Sequence, residues 1–164
     1  MNTSTRVGAA RVWVVLTRCH HAISQIAEQS IQETGLGLSD FAALEALLHK
    51  GPLTITEIQA KVLLASGSMT AAVDRLEKKG LIVRAPAAND RRAKVLQLTP
   101  EGRRVVETAF RSHAAALDAA MSVLHANQKR QLHGLLKKLG LFAAGDGLQA
   151  AQKEENSDDK VSQK

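Results

Sequence analysis

The sequence has no tyrosine, one tryptophan and three phenylalanines, so aromatic side chains supply only 2% of its 164 residues. Proteins that hold single-stranded nucleic acid stack bases on aromatic platforms, and RNA-reading sheets do the same, so both classes are disfavoured. One cysteine, Cys19, rules out an internal disulfide framework. Also missing are a G-x-S-x-G elbow, a phosphate-cradling P-loop and a glycine-rich dinucleotide turn. The chain is therefore not read as an enzyme, and no cofactor is expected. The longest apolar run near the start, VWVVL at 12–16, is too short for a signal-peptide core or a membrane span. A cytoplasmic protein with no membrane partner is the expectation.

What is present is basic charge, and it is gathered. The formal net charge is +6 with a pI of about 9.8. Between residues 66 and 94 seven Lys and Arg stand against three Asp and Glu, the footprint expected for contact with phosphates. An apolar content of 45% is ordinary for a globular chain and suffices for one domain with a real core.

The basic stretch has its own pattern. Ser66 is a good N-cap, Met69, Ala72, Val73 and Leu76 recur at helical spacing, and Gly80 is a natural stop, which predicts a helix over 66–79. The period then changes to short β-branched runs at 81–84 and 93–98, with a turn at 85–89 around Pro86. A helix followed by a hairpin with Asp90, Arg91 and Arg92 at its tip suits a helix for the major groove and a basic wing beside it.

The remaining chain reads as helices. A long amphipathic pattern over 7–33 carries Val12, Leu16, Cys19, Ile23 and Ile26 on one face. Helices follow over 39–50 and, behind a Thr54–Glu57 capping box, over 54–63. Thr99, with Pro100 in the tolerated first helical slot, opens another helix to about residue 125, and Asn127 caps a last one to 144. The polar segment 145–164 is expected to be a disordered tail. The fold class is mainly α with a small β-hairpin wing. Residues 1–37 form an N-terminal dimerisation helix, 38–98 a winged helix-turn-helix region, and 99–144 C-terminal dimerisation helices. A homodimer would present two reading helices to a pseudo-palindromic double-stranded DNA site.

The block from Leu38 to Arg103 resembles the winged helix-turn-helix core of the MarR family of bacterial transcriptional regulators. The likeness is carried by VDRLEKKGLIVR at 73–84, the D-x-R at 90–92 and LTPEG at 98–102. The stretch 49–81 also resembles the branch responding to quinones and related electrophiles. The resemblance implies a repressor that leaves its operator on meeting a small phenolic or quinone-like effector or an oxidant. It places Ser66, Ser68, Met69 and Thr70 at the major groove, with Met69 either packing on thymine methyls or belonging to the core. Arg75 is implied as a phosphate contact and Arg92 as the residue at the minor groove, held by Asp90 and flanked by Arg91 and Lys94.

For sensing, the candidates are Cys19, His20 and His113. An imidazolium beside Cys19 would lower its thiol pKa, but a free cysteine on an apolar face is more usually a small core residue, and that plain reading is favoured. His113 falls on a core stripe and is a candidate to line an effector cavity. The six histidines form no ligand pair of the spacing a metal needs, so no metal site is assigned. A metal-responsive winged-helix regulator and a sequence-neutral architectural DNA binder are the alternatives.

Overall fold

A computed structural model gives the fold and describes residues 7–62, 66–86 and 94–145. In chain order the elements are α1 (Ala9–Gln32), α2 (Leu38–Lys50), α3 (Ile55–Lys61), α4 (Ser66–Lys78), β1 (Ile82–Pro86), β2 (Lys94–Leu98), α5 (Pro100–Ala120) and α6 (Ala126–Ala144). They fall into two compact units, Met1–Ala120 and Met121–Lys164.

The core of the first unit gathers where the sequence period put its apolar residues. Phe41, Leu44 and Leu47 of α2 meet Ile58 of α3, Met69, Val73 and Leu76 of α4, Ile82 and Leu96 of the hairpin, and Val106 of α5. Each such side chain contributes about 1.5–3 kcal/mol on burial. Surface ion pairs contribute about 0–1 kcal/mol each, so the cluster holds this unit together.

The strands pair antiparallel, Ile82 opposite Leu98 and Arg84 opposite Leu96. Leu53, between α2 and α3, adds a bridge. Its N–H donates to the Leu96 carbonyl at 3.2 Å, and the Leu96 N–H returns the bond at 2.7 Å. The wing is thereby stitched to the helix-turn-helix rather than hanging from it. Pro86, expected in the turn, is the last residue of β1 opposite Lys94, a strand end where a missing N–H is tolerated.

Two joints explain the sequence around the hairpin. At the end of α4 the Leu81 N–H donates to the Leu76 carbonyl and the Gly80 N–H to that of Glu77, both at 2.9 Å. Gly80 takes φ +69°, so this is the Schellman arrangement, which only glycine adopts without strain. At the start of α5, Thr99 caps the helix by accepting from the Gly102 N–H at 2.9 Å. Its hydroxyl reaches back to the Gly80 carbonyl at 2.8 Å.

Elsewhere the structure differs from the expected boundaries. Helix α5 stops at Ala120, and Met121–Leu124 turns instead, with the Leu124 N–H on the Met121 carbonyl. The next helix is capped at His125 and not Asn127, because the Gln128 side chain accepts from the His125 N–H at 2.8 Å. Along α1 only Ser30 and Ile31, near its C-terminal end, are fully buried, while Leu16 and Ile23 are half-buried. Val12, Trp13, Val14, Val15 and Ile26 stay exposed. In the second unit α6 buries none of its residues, and Leu132, Leu135, Leu136, Leu139 and Phe142 form an exposed apolar stripe. Among the described residues no helix is long and apolar enough to cross a membrane.

Candidate nucleic-acid interface

Helix α4 is fixed by its buried stripe and offers the opposite face. Met69, Ala72, Val73 and Leu76 are inside, while Thr70, Ala71, Asp74 and Lys78 are exposed. Ser66 and Ser68 occupy its first turn. This corrects one expectation. Met69 is only 1% exposed and belongs to the core, in phase with Val73 and Leu76, so it cannot meet a thymine methyl. Ala71, missed in the sequence reading, offers a methyl group on the outward face. The helical phase of the Met69 stripe was the signal that points to it.

Two arginines frame that face. Arg75, expected as a phosphate contact, also has a protein partner: its Nη2 donates to Asp40 Oδ1 at 2.5 Å and lies 3.3 Å from Ser39 Oγ, both in the first turn of α2. Asp40 is 3% exposed, whereas the Arg75 side chain is 49% exposed. The hydrogen bond to Asp40, and then the charge of that carboxylate, raise the Arg75 pKa above the usual arginine range. Lys79 Nζ adds a longer contact to Asp40 at 4.0 Å. On the other flank Arg84 of β1 grips two carboxylates of α4, Asp74 at 2.7 Å and Glu77 at 2.8 Å. That pairing cancels acidic charge on a surface where phosphates would approach. It also ties the base of the wing to the reading helix.

At the wing Lys94 is exposed at the start of β2. Asp90, Arg91 and Arg92 lie outside the described residues.

The sensing candidates separate. Cys19 is exposed on α1, so within one chain it is not the small core residue favoured from sequence. The stripe that carries it is covered only in part by the rest of the unit, with Leu16 and Ile23 half-buried. His20 Nε2 lies 3.4 Å from Ser24 Oγ, one turn on along α1 and away from the core. His113 does sit at a junction of α1, α2 and α5. Its Nδ1 is 2.8 Å from Ser30 Oγ, and its ring meets Phe41 edge-on at 5.1 Å. Ser30 Oγ also lies 2.7 Å from the Ala27 carbonyl, so the hydroxyl bridges its own helix and the imidazole. A cavity of about 350 Å³ lies elsewhere, against Ala42, Ala46, His49, Lys61 and Val62, and His113 is not among its walls. Among the described residues no three His, Cys, Asp or Glu side chains gather as a metal site.

Comparison with known proteins bears on this arrangement. The model of the MarR family matches residues 36–94. The HTH-type transcriptional regulator MhqR of Bacillus subtilis is 38% identical over 133 residues, covering 81% of this chain and 92% of that protein. Among solved structures, a MarR family protein from Bacillus stearothermophilus superposes with a TM-score of 0.69 at 23% identity, covering 88% of this chain and 99% of that one. CouR from Rhodococcus jostii RHA1, bound to p-coumaroyl-CoA, also gives a TM-score of 0.69 at 23% identity, over 79% of this chain and 92% of CouR.

Proposed function

This chain belongs to the MarR family of transcriptional regulators, and from that premise we propose that it acts as a homodimeric repressor of a pseudo-palindromic operator, released by a small phenolic or quinone-like molecule or an oxidant. The observation that carries the reading is the outward face of α4, free of the core and framed by Arg75 and Arg84. Thr70 and Ala71 on that face meet base edges, with Ser66 and Ser68 in the turn before them. Arg92, Arg91 and Lys94 serve the backbone and minor groove beside it, with Asp90 steadying Arg92.

The dimer is supported by apolar surface that one chain leaves uncovered. Val12, Trp13, Val14 and Val15 of α1 and the leucine stripe of α6 are exposed in this one protomer. Exposed apolar surface on this scale marks interfaces. A two-fold dimer then spaces two α4 helices for successive major grooves. The effector class follows the sequence resemblance. CouR, which shares the fold alone with this chain, binds p-coumaroyl-CoA. Cys19, exposed on the α1 stripe, is the residue an electrophile or oxidant would meet.

A binding titration tests the whole reading. Purified protein is titrated against its own upstream DNA and a scrambled duplex at two salt concentrations, with its mass in solution measured alongside. One dimer on one preferred site, released by catechol or benzoquinone, is the expected result. Equal binding to both duplexes, fading together with salt, would instead mean architectural binding.

A further inference from the structure

The Arg75 contact is lopsided, and the asymmetry has a use. One nitrogen of the guanidinium, Nη2, takes both α2 acceptors, Asp40 Oδ1 and Ser39 Oγ. Among the described residues neither Nε nor Nη1 has a bonding partner, and half the side chain faces solvent. The carboxylate that holds it is almost wholly buried at the third position of α2, favoured there by the positive end of the helix dipole. Arg75 borders the outward face that carries Ala71, Asp74 and Lys78. An unanchored arginine loses rotamer freedom when it binds, whereas a side chain already pinned at one nitrogen has lost most of it in advance.

We propose that Asp40 is a positioning residue for DNA binding: from inside α2 it fixes the Arg75 guanidinium at the edge of the reading helix, so that its remaining donors receive a backbone phosphate. The inference rests on the DNA-binding reading above and adds a residue that never touches DNA. A carboxylate near a phosphate-binding arginine has a second physical consequence, of opposite sign. If Asp40 merely competed with phosphate for Arg75, removing its charge would strengthen binding. The burial of Asp40 and its grip on only one nitrogen favour positioning.

The test is fluorescence anisotropy of full-length protein on its upstream operator duplex between about 50 and 200 mM salt, for wild type, D40N, R75A, R75K and D40N/R75A, with a thermal melt of each. R75A removes one phosphate contact from each protomer of the dimer, so it should flatten the plot of log affinity against log salt by about 1.8. D40N keeps the cation, so it should keep the wild-type slope while binding about five- to a hundredfold more weakly, the fold-change set by two side chains per dimer that must be ordered anew. The double variant should bind no more weakly than R75A. Wild-type or tighter binding by D40N overturns the proposal, as does a D40N loss that persists undiminished in the R75A background. If the melt shows that D40N does not fold, R75K decides. It keeps the charge and the slope but lacks the fork, so it should bind more weakly, and wild-type affinity there refutes the role. Wild type failing to prefer its operator sinks the regulator reading and takes this inference with it. Normal wild-type binding with an unaffected D40N sinks the inference alone.

Discussion

Replacing Gly102 by alanine sets two effects of opposite sign against each other, and the structure decides which wins. Gly102 lies in the first turn of α5, where alanine is ordinarily better than glycine by about 1 kcal/mol. Here, however, a Cβ would stand 1.8 Å from the Leu81 carbonyl oxygen and 2.8 Å from its carbon. That carbonyl is not free to retreat. It accepts from the Thr99 N–H at 3.1 Å and takes the weaker share, at 3.2 Å, of the Thr99 hydroxyl proton that goes chiefly to Gly80, and Leu81 leads directly into β1. Forcing a methyl into packed structure costs about 1–3 kcal/mol. Each displaced hydrogen bond adds about 0.5–1.5 kcal/mol. Less the propensity gain, Gly102→Ala should destabilise by about 2–4 kcal/mol, a fall in melting temperature on the order of 10 °C. The control is Gly134→Ala in α6, at a helical glycine with nothing near its Cβ position, which should gain up to about 1 kcal/mol. Thermal melts of both variants by circular dichroism check the pair. If G102A melts at or above wild type while G134A rises, the close approach of α5 to the wing base is wrong.

Much of this was legible because it is local. The cap at Thr54, the stop at Gly80 and the opening of α5 at Thr99 are each decided within a few residues, and the structure has all three. The fold class followed from them. Met69 was equally decidable, since its phase with Val73 and Leu76 already put it inside; weighing its chemistry at a groove kept the wrong alternative open. Other features depend on partners that no local pattern names. Asp40 and Arg75 are far apart in sequence and meet only once α2 and α4 cross. Gly102 looked like part of a helix start, and only the approach of Leu81 shows why a side chain is not tolerated there. The α1 stripe shows the sharpest limit. Periodicity reveals that a face is apolar, but not whether the same chain covers it, so Cys19 read as core and is exposed.

Three further outcomes are expected. Gly80→Ala must hold a left-handed backbone at φ +69°, so it should lose about 1–2 kcal/mol in urea unfolding, and Gly80→Asn less. Equal stabilities for both would refute the Schellman geometry at the end of α4. Arg92→Ala should weaken operator binding by about 1–3 kcal/mol in the anisotropy assay and leave the mass in solution unchanged; undiminished affinity removes Arg92 from the wing contact. The last concerns pH. The Glu57 carboxylate accepts from the Thr54 N–H at 2.7 Å and the Thr54 hydroxyl at 2.9 Å, and these bonds, the backbone one foremost, hold its pKa below the usual range. A depressed acid stabilises the fold when ionised, so its contribution is complete at neutral pH and is lost as pH falls through the folded-state value. Glu57→Gln keeps an acceptor but has no charge to lose. The gap in melting temperature between wild type and E57Q should therefore be widest near neutrality. It should close as pH drops below the ordinary glutamate value of about 4.3. A gap that stays constant into acid, or widens there, would mean that the cap of α3 draws nothing from the ionised carboxylate.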